Sequence, residues 1–103
     1  ALKDPPTCIL MPDDYASHGG QLAIQNAGLR IPEDISIIGF DGLDYFKYIS
    51  PRLSTVAQNA IAIGETAAEL LLAEINGKEK GIQGQSVKMP VMLIKGETVA
   101  PPK

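Results

Sequence analysis

The stretch Ile35-Ser36-Ile37-Ile38-Gly39-Phe40 decides the fold of this chain of 103 residues. It is an almost unbroken run of apolar and small residues, which is typical of a strand buried on both faces. The stretch Thr7-Cys8-Ile9-Leu10-Met11 has the same character and predicts another buried strand, with Cys8 as one of its small apolar residues. We therefore expect two core strands in the first 40 residues.

A helix is predicted between these strands, from Asp14 to Ala27. Small and apolar residues recur in it at intervals of three and four and predict a narrow buried stripe, formed by Ala16, Gly20, Ala23, Ile24 and Ala27. Gly28 is placed to end the helix, and Pro32 prevents it from continuing. Strand, helix and strand form a βαβ unit with parallel strands, so the predicted fold class is α/β.

The second half of the chain supplies too little sheet for an independent α/β domain. The predicted elements are a short aromatic helix (43–49), a strand or crossover (53–56), a long helix (60–75), an exposed loop (78–85), a strand (86–95) and a loosely docked tail (98–103). Pro90 removes a hydrogen-bond donor from the last strand, which favours an edge position or a bulge. The chain is expected to be part of a larger fold.

Composition excludes several classes of function. Nine basic and 12 acidic residues give a net charge of −3, which leaves no basic surplus for binding nucleic acid directly. No apolar run approaches the roughly 20 residues needed to cross a bilayer, and the first residues do not resemble a signal peptide. Cys8 and His18 are the only residues of their types, so no disulfide, catalytic triad, metal site or cofactor is expected.

Several separated motifs occur in the order and spacing of one known family. They are Ala27-Gly28-Leu29-Arg30-Ile31-Pro32-Glu33-Asp34-Ile35-Ser36, Gly39-Phe40-Asp41, Ser50-Pro51-Arg52-Leu53-Ser54-Thr55-Val56-Ala57-Gln58 and Gly64-Glu65-Thr66-Ala67-Ala68-Glu69-Leu70-Leu71-Leu72. Together they closely resemble the C-terminal part of LacI/GalR-family transcriptional regulators. In that family a helix-turn-helix head precedes a two-lobed effector domain shaped like the periplasmic sugar-binding proteins.

The resemblance implies a partial type I periplasmic-binding-protein-like fold. Residues 1–57 would be the βαβ portion of the C-terminal lobe. Residues 58–103 would contain a hinge crossing, the long helix and a final strand, all packing with the N-terminal lobe. The DNA-binding head would lie outside this chain.

Three residues match the family's effector-binding positions, and each has a structural alternative. Asp41 could accept hydrogen bonds from two sugar hydroxyls, or could cap the following turn. Asp13 could contact the effector or cap the helix, while Asp14 beside it is expected to be structural. Gln58 could give and take a hydrogen bond with the same ligand, or could satisfy backbone groups at the hinge.

Five further residues match the family's dimer interface. His18 and Leu22 are four residues apart and share a helix face, and they are joined there by Tyr45, Tyr48 and Ile49. An exposed cluster that contains two tyrosines is typical of an interface. The alternative is a set of scattered surface residues without a partner.

The resemblance implies a cytoplasmic homodimer that binds a sugar or a related small metabolite between its lobes. Binding would be coupled allosterically to operator DNA through the domain outside this chain. The alternative is a periplasmic sugar-binding protein of an ABC importer. An enzyme is not expected, because no nucleophile, base or cofactor loop accompanies the carboxylates.

Overall fold

A computed structural model describes residues 3–77 and 86–102 of the chain. Its elements are β1 (Cys8–Leu10), α1 (Asp14–Asn26), β2 (Ser36–Asp41), a 3₁₀ helix (Asp44–Tyr48), β3 (Ser54–Gln58), α2 (Ala60–Ile75) and β4 (Val91–Ile94). The four strands form one sheet in the order β1-β2-β3-β4. The loop predicted for residues 78–85 lies outside the described residues.

The predicted βαβ unit and the α/β fold class are confirmed. β1 pairs in parallel with β2, with Ile9 opposite Ile37. β2 pairs in parallel with β3, with Phe40 opposite Val56. β2 therefore lies between two parallel neighbours, which is the environment that its apolar sequence predicts. β4 lies at the far edge of the sheet, as expected from Pro90, which directly precedes it.

The prediction that β1 is buried on both faces is wrong. β1 is the edge strand opposite β4 and has only β2 as a neighbour. Cys8 is exposed, and 68% of the Leu10 surface is accessible. An apolar run identifies a strand, but its burial depends on which neighbours pack against its faces.

The buried face of α1 is polar, which contradicts the predicted stripe of small residues. Asp14, Ser17 and Gln21 are the buried residues of α1, whereas Ala23 and Ala27 of the predicted stripe are exposed. Spacings of three and four place the three polar residues on one side of the helix. Asp14 and Ser17 can be buried there because their side-chain oxygens have hydrogen-bond partners. Gln21 donates to the Pro51 carbonyl over 3.4 Å, while its side-chain oxygen is buried without a partner among the described residues.

The apolar core lies around β2. Its buried members are Ile31, Ile35, Ile37, Phe46 and Leu53, with Ile9, Ile24, Leu43 and Ile49 packed against them. The core thus joins both strands of the βαβ unit to the 3₁₀ helix that follows β2. Leu43 and Phe46, which follow β2 in the chain, anchor to this core the segment that leads away from the candidate site.

The C-terminal segment is an integral part of the sheet region, and the expectation of a loosely docked tail is wrong. Thr98 is fully buried. Its hydroxyl donates to the Ile37 carbonyl over 2.7 Å and accepts from the Ser54 amide over 2.9 Å. The Ile37 amide donates to the Thr98 carbonyl over 2.9 Å. These bonds join the tail to β2 and β3. Because the partners are distant in the sequence, the local sequence pattern does not predict them.

The chain divides into two compact units. The first comprises Ala1–Ala57 with Met92–Lys103, and the second comprises Gln58–Val91. Met92–Lys103 belongs to the first unit, and Thr98 in this segment is bonded to Ser54. The assignment of the units to the two lobes of a parent fold remains a prediction.

The long helix α2 has the bounds that the sequence predicts. Asn59 is its N-cap, and its side-chain oxygen accepts from the Ala62 amide over 3.0 Å. None of the α2 residues is buried, and several apolar side chains of this helix are exposed, among them Ile61, Leu71, Leu72 and Ile75. Among the residues that the structure describes, no helix has the length and apolar character required to cross a bilayer.

Replacing Thr98 with valine tests the role of the C-terminal segment. The change keeps the side-chain volume but leaves the buried Ser54 amide without its acceptor. We expect the free energy of unfolding to fall by about 2 kcal/mol, measured by urea denaturation of the intact protein. Val99→Ala, at an exposed neighbour, is the control and is expected to change stability by less than about 0.5 kcal/mol. Equal effects of the two substitutions would contradict the integral role of Thr98.

Candidate functional site

Two carboxylates lie at the carboxyl edge of the parallel strands. Asp41 is the last residue of β2, and Asp13 follows the end of β1 by three residues. Because β1 and β2 are parallel neighbours, their carboxyl ends share one edge of the sheet. Ligands of open parallel sheets bind outside this edge. The structure therefore places both predicted effector residues where such a sheet binds its ligands.

Asp13 is the N-cap of α1, as the structural alternative predicts. Its backbone is extended, with φ at −158°, and one carboxylate oxygen accepts from the Ala16 amide over 2.7 Å. Its carbonyl oxygen accepts from the Ser17 hydroxyl over 2.7 Å. Capping fixes the orientation of the Asp13 carboxylate at the strand edge. Contact between Asp13 and an effector remains a prediction.

Asp41 has an unusual backbone conformation. Its φ is 121°, which few residues other than glycine adopt, and it is the one non-glycine residue with positive φ in the described part of the chain. Such conformations cost of order 1–3 kcal/mol and are concentrated at functional sites. The amides of Gly42 and Leu43, in the turn that follows Asp41, both donate to Asp14.

Asp14 is fully buried and accepts three hydrogen bonds. One oxygen accepts from the Gly42 amide over 3.0 Å and from the Leu43 amide over 2.7 Å. The other accepts from the Thr55 hydroxyl over 2.7 Å. Burying a carboxylate costs free energy unless it is well hydrogen-bonded, and these donors satisfy that requirement.

Gly39 leaves room for the Asp14 carboxylate. A Cβ at this position of β2 would collide with the Asp14 Oδ1 atom and lie 2.8 Å from the Leu53 side chain. Only glycine lets the strand come this close to the start of α1. The Gly39-Phe40-Asp41 motif therefore has a packing role in addition to the predicted binding role.

Gln58 lies at the junction of the two compact units. It is the last residue of β3 and the first residue of the second unit. Its neighbour Ala57 lies opposite Asp41 in the sheet register, and Asn59 on its other side caps α2. The predicted contact between Gln58 and an effector remains a prediction.

Two of the predicted interface residues, His18 and Tyr45, pack on a buried aromatic ring. Phe46 is buried, and the ring centroids of Tyr15, His18 and Tyr45 lie 5.3, 5.8 and 5.2 Å from its own. The 3₁₀ helix therefore has an internal anchor and an exposed outer side. The sequence patterns did not identify the contribution of Tyr15, because they do not reveal that its ring packs on Phe46.

The outer side of this region is exposed and apolar. The accessible fractions of Leu22, Tyr45 and Tyr48 are 48%, 68% and 87%, while Ile49 packs against the core. Lys47 donates a hydrogen bond to Asp44 in the same 3₁₀ helix and so holds the pKa of that carboxyl below its ordinary value. The structure thus presents two of the predicted interface tyrosines to solvent.

A small cavity of about 20 Å³ lies beside the turn after β2, and its lining includes Asp14, Gly42, Leu43 and Thr55. Within residues 3–77 and 86–102, no group of three His, Cys, Asp or Glu side chains could hold a metal ion. A cavity of about 170 Å³ in the first unit is lined by Ile38, Ser54, Leu93, Lys95 and Val99. It includes none of the predicted effector residues.

Comparison with known proteins gives the class of this domain. Residues 1–99 match the family described as periplasmic binding protein-like domain. The HTH-type transcriptional repressor CytR of Escherichia coli K12 is 37% identical over 101 residues, which cover 98% of this chain and 29% of the repressor. The chain thus spans less than a third of the length of this relative.

Solved structures agree with this class. A LacI family transcriptional regulator from Enterococcus faecium with bound ribose has a TM-score of 0.79 and 37% identity, over 94% of this chain and 35% of that one. The dimeric Lac repressor with an 11-residue C-terminal deletion has a TM-score of 0.76 and 33% identity, over 95% and 35% of the two chains. The chain therefore belongs to the LacI/GalR family of transcriptional regulators, within their periplasmic-binding-protein-like effector-binding domain.

Proposed function

We propose that this chain is the effector-binding and dimerisation part of a bacterial transcriptional regulator. Its ligand is a sugar or a related hydroxylated metabolite, bound at the carboxyl edge of β1 and β2. The effector binds one arrangement of the parent protein more tightly than another and so favours that arrangement. Because the arrangements differ in their affinity for operator DNA, effector binding changes DNA binding. The DNA-binding part is a helix-turn-helix domain outside this chain, which implies a cytoplasmic location.

The observation that carries this proposal is Asp41, an aspartate at the end of β2 whose backbone has an unfavourable conformation. An ionised carboxylate can accept hydrogen bonds from two neighbouring hydroxyls of a sugar. These hydrogen bonds are stronger than those to a neutral acceptor. Asp41 has this chemistry, and its φ of 121° is a cost that a binding role accounts for. The related Enterococcus faecium regulator has bound ribose, a polyhydroxylated ligand. Asp13 at the same edge and Gln58 at the end of β3 supply further polar groups.

The exposed aromatic surface around Phe46 supports a homodimer. Tyr45 and Tyr48 project from the 3₁₀ helix, and the neighbouring face of α1 exposes Leu22. Aromatic residues are enriched at protein interfaces, because they bury a large area with few rotatable bonds. The Lac repressor to which this chain is similar is described as dimeric. The same surface favours a regulator over a solute-binding protein, which has no need of a partner copy.

Replacing Asp41 with asparagine tests the binding role. Asparagine tolerates positive φ and keeps the side-chain size, so the main change is the loss of the negative charge. We expect the affinity of the intact protein for D-ribose to fall by about 1–3 kcal/mol in calorimetry. Glu33→Gln removes an exposed carboxylate elsewhere in the chain and is expected to leave the affinity unchanged. An Asp41→Asn protein with wild-type affinity would remove this residue from the site.

Replacing Tyr48 with glutamate tests the interface. A charge placed in an apolar interface must be desolvated without a partner, so we expect the dimer to dissociate at least about tenfold more readily. Sedimentation velocity of the intact protein measures the change. Leu29→Glu, at an exposed leucine in the turn after α1, is the control and is expected to leave the dimer intact. If Tyr48→Glu leaves the dimer unchanged, the interface lies elsewhere.

A further inference from the structure

We propose that Asp14 is the positioning residue of the effector site. It does not contact the effector itself. Its carboxylate holds in place the backbone segments that carry the three predicted effector residues. This inference rests on the proposed function and adds a residue to it.

The three donors to Asp14 lie on two segments that lead to the site, and Asp14 itself lies on a third. Gly42 directly follows Asp41, and Leu43 is the next residue. Thr55 belongs to β3, three residues before Gln58. Asp14 itself directly follows Asp13. One buried side chain therefore connects the start of α1, the turn after β2 and the strand that ends at Gln58.

The bonds to Gly42 and Leu43 explain how Asp41 keeps an unfavourable conformation. A residue with φ of 121° persists only where its surroundings determine the backbone on both sides. On the β2 side, the sheet register with Ala57 fixes the residue. On the other side, Asp14 holds the next two amides at 3.0 and 2.7 Å. The Asp14 carboxylate thus completes the constraint on the backbone of Asp41.

The bond from Thr55 determines where the Asp14 carboxylate points. Asp14 Oδ1 accepts from the Thr55 hydroxyl over 2.7 Å, and both residues are buried. Without this donor the carboxylate would have a buried oxygen with one partner fewer and would be free to rotate about its terminal torsion. Its second oxygen would then hold Gly42 and Leu43 less well. Thr55 therefore contributes to the same positioning function.

Two threonine substitutions separate positioning from stability. Thr55 and Thr98 are both buried and hydrogen-bonded in the same region, with 5% and 0% of their surfaces accessible. Thr55→Val removes the donor to Asp14, whereas Thr98→Val removes the hydroxyl bonds from the C-terminal segment to Ile37 and Ser54. The two variants are expected to lose thermal stability to a similar extent. Their affinities for effector are expected to differ.

The experiment measures D-ribose binding to the intact protein by calorimetry, at a temperature at which both variants are folded. We expect Thr55→Val to raise Kd by about tenfold and Thr98→Val to raise it by less than about twofold. Asp14→Ala is expected to raise Kd by at least as much as Thr55→Val. Asp14→Asn keeps the side-chain shape and one acceptor oxygen for the Gly42 and Leu43 amides, and its NH2 group can donate to the Thr55 hydroxyl oxygen, so this variant is expected to restore most of the affinity.

Equal changes in Kd for Thr55→Val and Thr98→Val would overturn the positioning role. If Asp41→Asn still weakens binding in that case, the proposed function stands and Asp14 is structural only. If Asp41→Asn has no effect, the proposed function itself fails. Should the wild-type protein not bind D-ribose, the crystal structure of Asp14→Ala decides the positioning role, because a φ at Asp41 that remained near 121° would contradict it.

Discussion

The structure of the candidate site depends on one buried carboxylate. Asp14 has no exposed surface, and its oxygens accept from two backbone amides and one hydroxyl. A charge in this position is tolerated only while all of its donors are in place. The same carboxylate accounts for the glycine at position 39, beside which it lies. The contacts of Asp14 therefore determine both the geometry of the site and the local packing.

Much of the fold could be predicted from local patterns. The apolar run of β2, the proline at position 32 and the Asn59 cap each act within a few residues, and the elements they predict are present. The strand ends also follow from the βαβ topology, which places Asp13 and Asp41 at one edge without knowledge of any side-chain contact. The family resemblance then suggested their chemical role, and the comparisons confirmed the family.

The remaining features depend on partners that are distant in sequence. Thr98 is buried because it bonds to Ile37 and Ser54. Asp14 does not act only in the first turn of α1, because Thr55 and the turn after β2 donate hydrogen bonds to its carboxylate. Periodicity within a segment carries no information on such contacts, so the tail was expected to be loose and α1 to bury its small residues. The exposed face of β1 was missed for the same reason, since burial depends on the neighbours of a strand.

A crystal structure of the intact protein with its bound effector would test the central claim most directly. We expect an effector hydroxyl within hydrogen-bond distance of the Asp41 carboxylate, about 2.5–3.0 Å. We also expect Asp14 to remain buried and bonded to Gly42, Leu43 and Thr55 without touching the ligand. An effector bound away from the carboxyl edge of β1 and β2, or in direct contact with Asp14, would contradict this assignment.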